Sequence, residues 1–164
     1  MSRGSGKTMT LPSVLDRLLD DTPDQPGQDA VLVFNLSDFK AALARDLESL
    51  LNTRVMGLGH LARRYPLAAH SVVNYGIPDL SSLSLLNPDH RELLRVQIRR
   101  AIECYDKRLS HVRVNFDFDT QGNTERLLHF RVDALLKVHP HRPPVSFDAT
   151  LQLSSNAYYV RGVQ

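Results

Sequence analysis

A short charged stretch is the part of this sequence best suited to chemistry. Asp106-Lys107-Arg108-Leu109 follows a basic amphipathic segment and precedes a segment of alternating polarity, so it is predicted to form a corner between a helix and a strand. A corner between two rigid elements holds its side chains more firmly than a loop tip does. A carboxylate and a guanidinium placed there therefore favour docking or catalysis over simple solvation.

Three alternating segments predict the sheet that carries this corner. The strands are expected at about 111–118, 126–136 and 145–153, and residues 157–160 are expected to add an edge. In the hairpin of the first two strands, pairing Phe116 with Phe130 places Arg113 opposite Asp133, whereas a slip of two residues places it opposite Arg131. We therefore predict the first register. We also expect the first strand to lie at the centre of the sheet.

Two amphipathic segments predict the helices that cover this sheet. The first reaches Leu51, with Ser37 as its N-cap and Leu36 at the start of its apolar stripe. The second begins at the N-cap Asn87, followed by Pro88. Its buried stripe comprises Leu94, Ile98, Ala101, Ile102 and Tyr105. The predicted fold class is α+β: an antiparallel sheet of three to four strands on two main helices, with a short N-terminal helix.

Composition and the positions of proline and glycine residues predict the domain organisation. Residues 1–30 are predicted to form a flexible arm with a short helix at about 13–20, and residues 31–164 a single domain. Cys104 is the single cysteine, which excludes an internal disulfide and favours a reducing compartment. The sequence shows neither an apolar run of membrane-spanning length nor a signal peptide, so we expect a cytoplasmic protein without direct membrane insertion.

A turn and a row of arginines are the remaining distinctive features. In the turn Tyr75-Gly76-Ile77-Pro78-Asp79, Gly76 permits a positive φ and Pro78 forces the preceding residue into an extended conformation. The second predicted helix also carries arginines away from its buried stripe: Arg91, Arg95, Arg99 and Arg100. These indicate either a solvated face or a contact surface for an acidic partner. A basic nucleic-acid-binding module is an alternative, although 20 basic residues against 18 acidic ones are nearly balanced.

Taken in order, these segments resemble a known family. The resemblance rests on residues 46–54 (Asp-Leu-Glu-Ser-Leu-Leu-Asn-Thr-Arg), the turn at 75–79, residues 98–103 (Ile-Arg-Arg-Ala-Ile-Glu), the charged corner and the alternating strands, and it covers roughly Pro12 to Tyr159. The sequence is similar to the TssE baseplate wedge components of the bacterial type VI secretion system, within the phage baseplate-wedge "lysozyme-like" family. The family signature at the corner is Glu-Pro-Arg followed by Leu. Arg108 and Leu109 match it, whereas Asp106 and Lys107 depart from it.

The resemblance implies a structural adaptor with two binding surfaces. Arg108, Asp106, Leu109 and Arg99 would contact the wedge core formed by TssF and TssG, and replacing Arg108 by Ala is expected to leave the fold intact.

An open sheet edge would start assembly of the sheath proteins TssB and TssC by strand addition, and we place that edge at Thr150, Gln152 and Tyr159. TssK and the hub protein VgrG are further implied partners, and nucleic acid is not. The implied location is the baseplate at the cytoplasmic face of the inner membrane.

The "lysozyme-like" label makes a muramidase-type peptidoglycan hydrolase the enzymatic alternative. Such an enzyme needs two carboxyl groups roughly 5 to 10 Å apart, one of them with a raised pKa. The candidates are Asp46, Glu48, Asp79, Glu103 and Asp106. Glu48 is predicted to be solvated, Glu103 can pair with Arg99 at helical spacing, and the chain lacks Trp for stacking on sugars. His139 and His141 lack a third ligand at metal-binding spacing. We therefore predict no catalytic residue, no metal and no cofactor.

Overall fold

Two α-helices and four β-strands form the described part of the chain. The computed structural model describes residues 13–14, 36–55, 64–79, 83–84, 86–117, 127–137, 141 and 143–163. Helix α1 spans Leu36–Asn52 and helix α2 spans Pro88–Tyr105. The strands are β1 (Leu109–Asp117), β2 (Leu127–Leu136), β3 (Pro144–Gln152) and β4 (Ala157–Gly162), and two short 3₁₀ helices cover Pro66–His70 and Val72–Asn74. The predicted α+β fold class is confirmed.

The sheet is antiparallel throughout, in the order β1-β2-β3-β4. Phe116 pairs with Phe130 and Arg113 lies opposite Asp133, so the predicted hairpin register is confirmed. Alternate residues of each strand face the helices and are buried, as a period of two requires. The core between the sheet and the two helices therefore follows the apolar alternation in the sequence.

The helix ends agree with the sequence in α2 and differ in α1. Asn87 caps α2, because its side-chain oxygen accepts the backbone N–H of Asp89 at 2.8 Å. Helix α1 begins at Leu36, so Ser37 lies inside the helix and the prediction that it is the N-cap is wrong. Leu36, at the start of the predicted apolar stripe, is 41% exposed.

Two predictions about the sheet edges are also wrong. Strand β1 lies at an edge of the sheet, not at its centre. Thr150 and Gln152 belong to β3, which pairs with β2 on one side and with β4 on the other. The error has a physical cause: alternation shows which face of a strand is buried, but the number of neighbouring strands depends on pairings distant in sequence.

Several sequence predictions concern residues outside the described ranges. Of the predicted arm and its helix at about 13–20, only Ser13 and Val14 are described, and His139 also lies outside. None of the described helices is long and apolar enough to cross a lipid bilayer.

Candidate functional site

The charged corner is built around an ion pair between Asp106 and Arg108. Helix α2 ends at Tyr105, Asp106 is its C-cap, and β1 begins at Leu109. Arg108 binds the Asp106 carboxylate through two parallel bonds, Nε to Oδ1 at 2.9 Å and Nη2 to Oδ2 at 2.8 Å. Asp106 also accepts the backbone N–H of Arg108 at 3.0 Å. With 7% exposure, Asp106 is the buried charged residue of the described core, and its oxygens stabilise the helix-to-strand corner from inside.

Helix α1 contributes a second carboxylate to this corner. Nη2 of Arg108 donates to Oδ2 of Asp46 at 2.8 Å, and the guanidinium lies 5.9 Å from the centre of the Phe39 ring. Burial alone would lower the pKa of Arg108, but the hydrogen bonds and charges of Asp106 and then of Asp46 outweigh it, so the pKa is raised. Arg108 therefore joins α1 to the corner as a permanent cation.

This network differs from the arrangement that the sequence suggested. Arg108 was expected to contact a partner, but the structure directs its Nε and one terminal nitrogen to carboxylates of the same chain. Asp46, which the sequence presented as one of several candidate acids, is a partner of Arg108 that the sequence did not predict. Its only sequence signal is its place beside the apolar stripe of α1, directly before Leu47 and one helical turn before Leu50.

An open groove adjoins the ion pair. It has a volume of about 630 Å³ and is lined by Ser13, Arg45, Asp46, Leu47, Ser49, Leu50, Tyr75, Tyr105, Asp106, Lys107 and Arg108. The rings of Tyr75 and Tyr105 meet edge to face, with centroids 5.2 Å apart. Burial, followed by the charge of Asp46, raises the pKa of Tyr75, which keeps its phenol neutral. Leu109 is buried beneath this surface, so it supports the groove instead of lining it.

The predicted turn at 75–79 holds one wall of this groove in place. Gly76 has a φ of +112°, and a Cβ atom there would lie 2.3 Å from the carbonyl oxygen of Thr53. The absence of a side chain lets the turn approach the end of α1, where Ile77 N–H donates to Thr53 O and Val55 N–H donates to Ile77 O, each at 3.0 Å. The prediction of a positive φ at Gly76 is confirmed. The turn thereby sets the position of Tyr75.

The outer edge of β4 is closed by side chains of α1. Asn52 binds the main chain of Tyr158 twice: its Nδ2 donates to the carbonyl oxygen at 2.8 Å, and its Oδ1 accepts the N–H at 2.9 Å. Glu48 accepts the N–H of Val160 at 2.8 Å. Glu48 was predicted to be solvated, and that prediction is wrong because α1 lies along the edge of β4. The side chains of α1 take the place of a neighbouring strand there.

The outer edge of β1 differs, because no other described strand pairs with it. On β4 the core-facing residues Tyr158 and Val160 aim their N–H groups away from β3. Backbone groups alternate in direction along a strand, and the observed registers carry this alternation across the sheet. On β1 the core-facing Val114 and Phe116 therefore aim their main-chain groups outward, away from β2.

Two adjoining grooves run between this edge and α2. The first is lined by Arg95, Val96, Arg99 and residues 112–115, and the second by Pro88, Arg91, Glu92, Arg95 and residues 114–116. Arg99 thus lines a groove beside β1 and not the groove beside Arg108, although the two arginines were predicted to share one surface. The predicted edge residues lie on two different strands, because Tyr159 on β4 pairs directly with Thr150 on the inner strand β3.

The described carboxylates do not form an isolated acid pair or a metal site. Asp46 and Asp106 both bind Arg108, so their arrangement is an ion-pair network that fastens two elements together. Within the described ranges, no group of three or more His, Cys, Asp or Glu residues is placed to hold a metal ion. Cys104 is partly buried, with its Sγ 3.5 Å from Nδ1 of His70. What this region offers chemically is a polar and aromatic surface held in shape by an ion-pair network.

Comparisons with known proteins show which proteins this chain resembles. One similar solved structure is described as "The baseplate complex from the type VI secretion system"; it is 16% identical, the match covers 77% of this chain and 95% of that chain, and the TM-score is 0.49. No curated protein matches this chain. The family model for "Baseplate wedge protein gp25" matches residues 37–141, from the first turn of α1 to the loop after β2. This match spans more than half of the sequence, and the chain therefore belongs to the baseplate wedge protein gp25 family, whose members are structural components of baseplates.

Proposed function

We propose that this protein is a TssE-type adaptor of a type VI secretion baseplate, with the wedge core bound at the Arg108 corner and the contractile sheath started at the edge of β1. The family membership supports a structural role in a baseplate. The assignment of the sheath to β1 rests on the contrast between the two sheet edges. Side chains of α1 close β4, whereas β1 presents main-chain groups to an incoming strand.

The wedge-core surface is the groove beside Arg108. It combines two tyrosine rings with the exposed cations Lys107 and Arg45, a composition typical of the energetic centre of a protein interface. Arg108 and Asp106 contribute by holding the groove in shape, since most of their hydrogen bonds are internal. The proposed occupant is the helical bundle of TssF and TssG, with TssK and VgrG as neighbours in the assembled baseplate.

The sheath surface is the outer edge of β1. A strand from TssB or TssC would pair with the main chain of Val114 and Phe116, which moves the proposed contact away from the edge first placed at Thr150, Gln152 and Tyr159. In this role the protein acts at the cytoplasmic face of the inner membrane and catalyses no reaction. While bound to the wedge, it would provide the first main-chain hydrogen bonds to the sheath.

Two pairs of variants test whether the surfaces are separate. Lys107→Glu should weaken capture of TssF and TssG by about tenfold and leave sheath assembly intact, because the changed charge lies in the corner groove. Arg100→Glu reverses a charge elsewhere, on the exposed face of α2, and is the matched control.

For the second surface, Val114→Pro removes an outward N–H from β1, and Val160→Pro removes the equivalent N–H from β4. Val114→Pro also changes a buried side chain, and Val160→Pro also breaks the bond to Glu48, so thermal unfolding first checks that both variants are folded. Nucleation of TssB and TssC, followed by electron microscopy of sheath tubes, should fail with Val114→Pro and persist with Val160→Pro. Normal tubes with Val114→Pro would refute the assignment of the β1 edge, and equal loss of both activities in every variant would refute two separate surfaces.

A further inference from the structure

We propose that the open edge of β1 selects a strand that carries acidic residues at alternate positions. The inference rests on the proposed function in taking this edge as a strand-binding site, and adds the chemistry of the strand that fits. The acidic preference is inferred from a row of three arginines on α2, formed by Arg91, Arg95 and Arg99. These arginines follow one another at intervals of four residues, so they lie on one face of the helix.

The row runs alongside the free edge. Arg91 and Arg95 line the groove that contains residues 114–116, whereas Arg95 and Arg99 line the groove that contains residues 112–115. Helix α2 and strand β1 therefore run in opposite directions past each other, with Arg95 shared by both grooves. A strand added to β1 would lie along all three guanidinium groups.

The spacing of the arginines matches the spacing of a strand. Four helical residues rise about 6 Å, and two strand residues rise about 6.7 Å. Side chains on one face of an added strand therefore recur at nearly the same interval as the arginines. Over the three arginines the mismatch grows to only about 1.5 Å, which flexible arginine side chains can absorb. Each arginine can thus meet a different residue of the same strand face.

Charge decides what those residues should be. The groove residues of α2 include three arginines and one glutamate, Glu92, which binds Arg95 at 2.5 Å. An arginine has five N–H donors, so Arg95 can bind Glu92 and still accept a second carboxylate. Arg113 also lines the first groove, but it lies opposite Asp133 in the sheet and does not count toward the row. Acidic side chains facing α2 would complement this row, and lysines there would be repelled.

The main-chain edge distinguishes this site from a general anion surface. Phosphates of a nucleic acid could also meet the arginines, but they would leave the outward groups of Val114 and Phe116 without a strand partner. Val96 and residues 112–115 line the groove together with the arginines. The groove therefore supplies charge on one wall and strand hydrogen bonds on the other, which together favour an acidic peptide strand.

Synthetic peptides of about ten residues test the proposal directly. One alternates Glu and Thr, the second alternates Lys and Thr, and the third contains the residues of the first in two blocks. Binding to the full chain is measured by fluorescence anisotropy at low and physiological salt. The alternating Glu peptide should bind at least about tenfold more tightly than either of the others, and less tightly as salt rises.

Charge reversal locates the preference. Replacing Arg95 and Arg99 by Glu should reverse the order of the two alternating peptides, while Arg100→Glu, on the same helix but outside the grooves, should change neither affinity by more than about twofold. Val114→Pro should weaken the Glu peptide even though every arginine remains. Thermal unfolding checks that each variant is folded.

The peptide assay and the sheath assay can fail independently, so they test this inference and the proposed function separately. Equal binding of the three peptides, no response to the double reversal, or stronger binding of a single-stranded oligonucleotide than of the Glu peptide would overturn the acidic-strand preference. Sheath nucleation at β1 would stand in that case. Conversely, the charge preference would stand if the peptides behave as expected and TssB and TssC fail to assemble.

Discussion

The ion pair between Asp106 and Arg108 makes a sharp prediction about stability. The sequence alone led us to expect that Arg108→Ala would leave the fold intact. In the structure this substitution removes two side-chain hydrogen bonds from Asp106 and one from Asp46. It also leaves a carboxylate that is 7% exposed without its counter-charge. We therefore expect Arg108→Ala to destabilise the protein before it affects any partner.

The expected size follows from the burial of the two carboxylates. Asp46 is 24% exposed and can turn to water, so its lost bond should cost about 1 kcal/mol or less. Asp106 keeps only the main-chain N–H of residue 108, and breaking a buried pair from one side costs about 3 to 5 kcal/mol. Because the side chain of Arg108 is itself 23% exposed, water can enter the vacated space and the lower part of this range applies. The net loss should be about 3 kcal/mol, a large share of the ~5 to 15 kcal/mol typical of a domain.

A double-mutant cycle measures this directly. Free energies of unfolding in urea are determined for the natural protein, Arg108→Ala, Asp106→Ala and the double variant. The double variant should be no less stable than Arg108→Ala, because it removes the orphaned carboxylate together with its partner. Arg108→Lys should lie in between, since an ammonium restores the charge but not the paired bonds. Lys107→Ala, one position away and exposed, is the matched control.

Two results would refute this reasoning. The first is a loss of less than about 1 kcal/mol for Arg108→Ala, which would mean that the carboxylate is readily solvated at the corner. The second is a double variant whose loss equals the sum of the single losses, because independent effects exclude a shared interaction. Binding of the wedge core by Arg108→Ala should be measured only where that variant is folded, since unfolding would otherwise resemble a lost contact.

Three further predictions concern the supports of the two surfaces. Gly76→Ala should cost at least about 2 kcal/mol in urea unfolding, because the new Cβ would strike the carbonyl of Thr53 at a positive φ; a neutral result would contradict the observed turn. Asn52→Ala should lower the free energy of unfolding by about 2 kcal/mol, because it frees the main chain of Tyr158 on β4. The freed edge should also cause concentration-dependent aggregation in light scattering. A monomeric, equally stable variant would argue against edge closure. Burial raises the pKa of Tyr158 from 10.0 to about 12, so its neutral form contributes stability that is complete below pH 10 and is lost as the pH rises to about 12. That loss, about 2 to 3 kcal/mol in alkaline unfolding, should disappear in Tyr158→Phe.

The local features of the fold could be predicted from the sequence. The register of β1 against β2 followed from two alternating patterns and from one choice between Arg113–Asp133 and Arg113–Arg131, all within a single hairpin. The cap at Asn87 and the positive φ at Gly76 followed from residue types that favour one backbone conformation. Each of these features depends on residues that are close together in the chain.

The connections between distant segments could not be predicted in this way. Asp46 and Arg108 are 62 residues apart, and Asn52 and Tyr158 are 106 residues apart. A polar side chain off an apolar stripe looks solvated in sequence, whether or not another element later covers it. For that reason Glu48 was predicted to face water, although it closes the edge of β4.

The α+β fold class and the hairpin register followed from the sequence alone, because apolar period, turn residues and local charge leave few alternatives. The resemblance to the family followed from the order of its motifs. The tertiary structure was needed to show which sheet edge has no partner among the described strands, which carboxylates bind Arg108 and which arginines lie beside β1. These features arise when α1 and α2 pack on a sheet with two different edges, and a side chain receives its role from what packs against it. The charged corner was visible in the sequence, but its use as an internal fastening was visible only once α1 lay beside it.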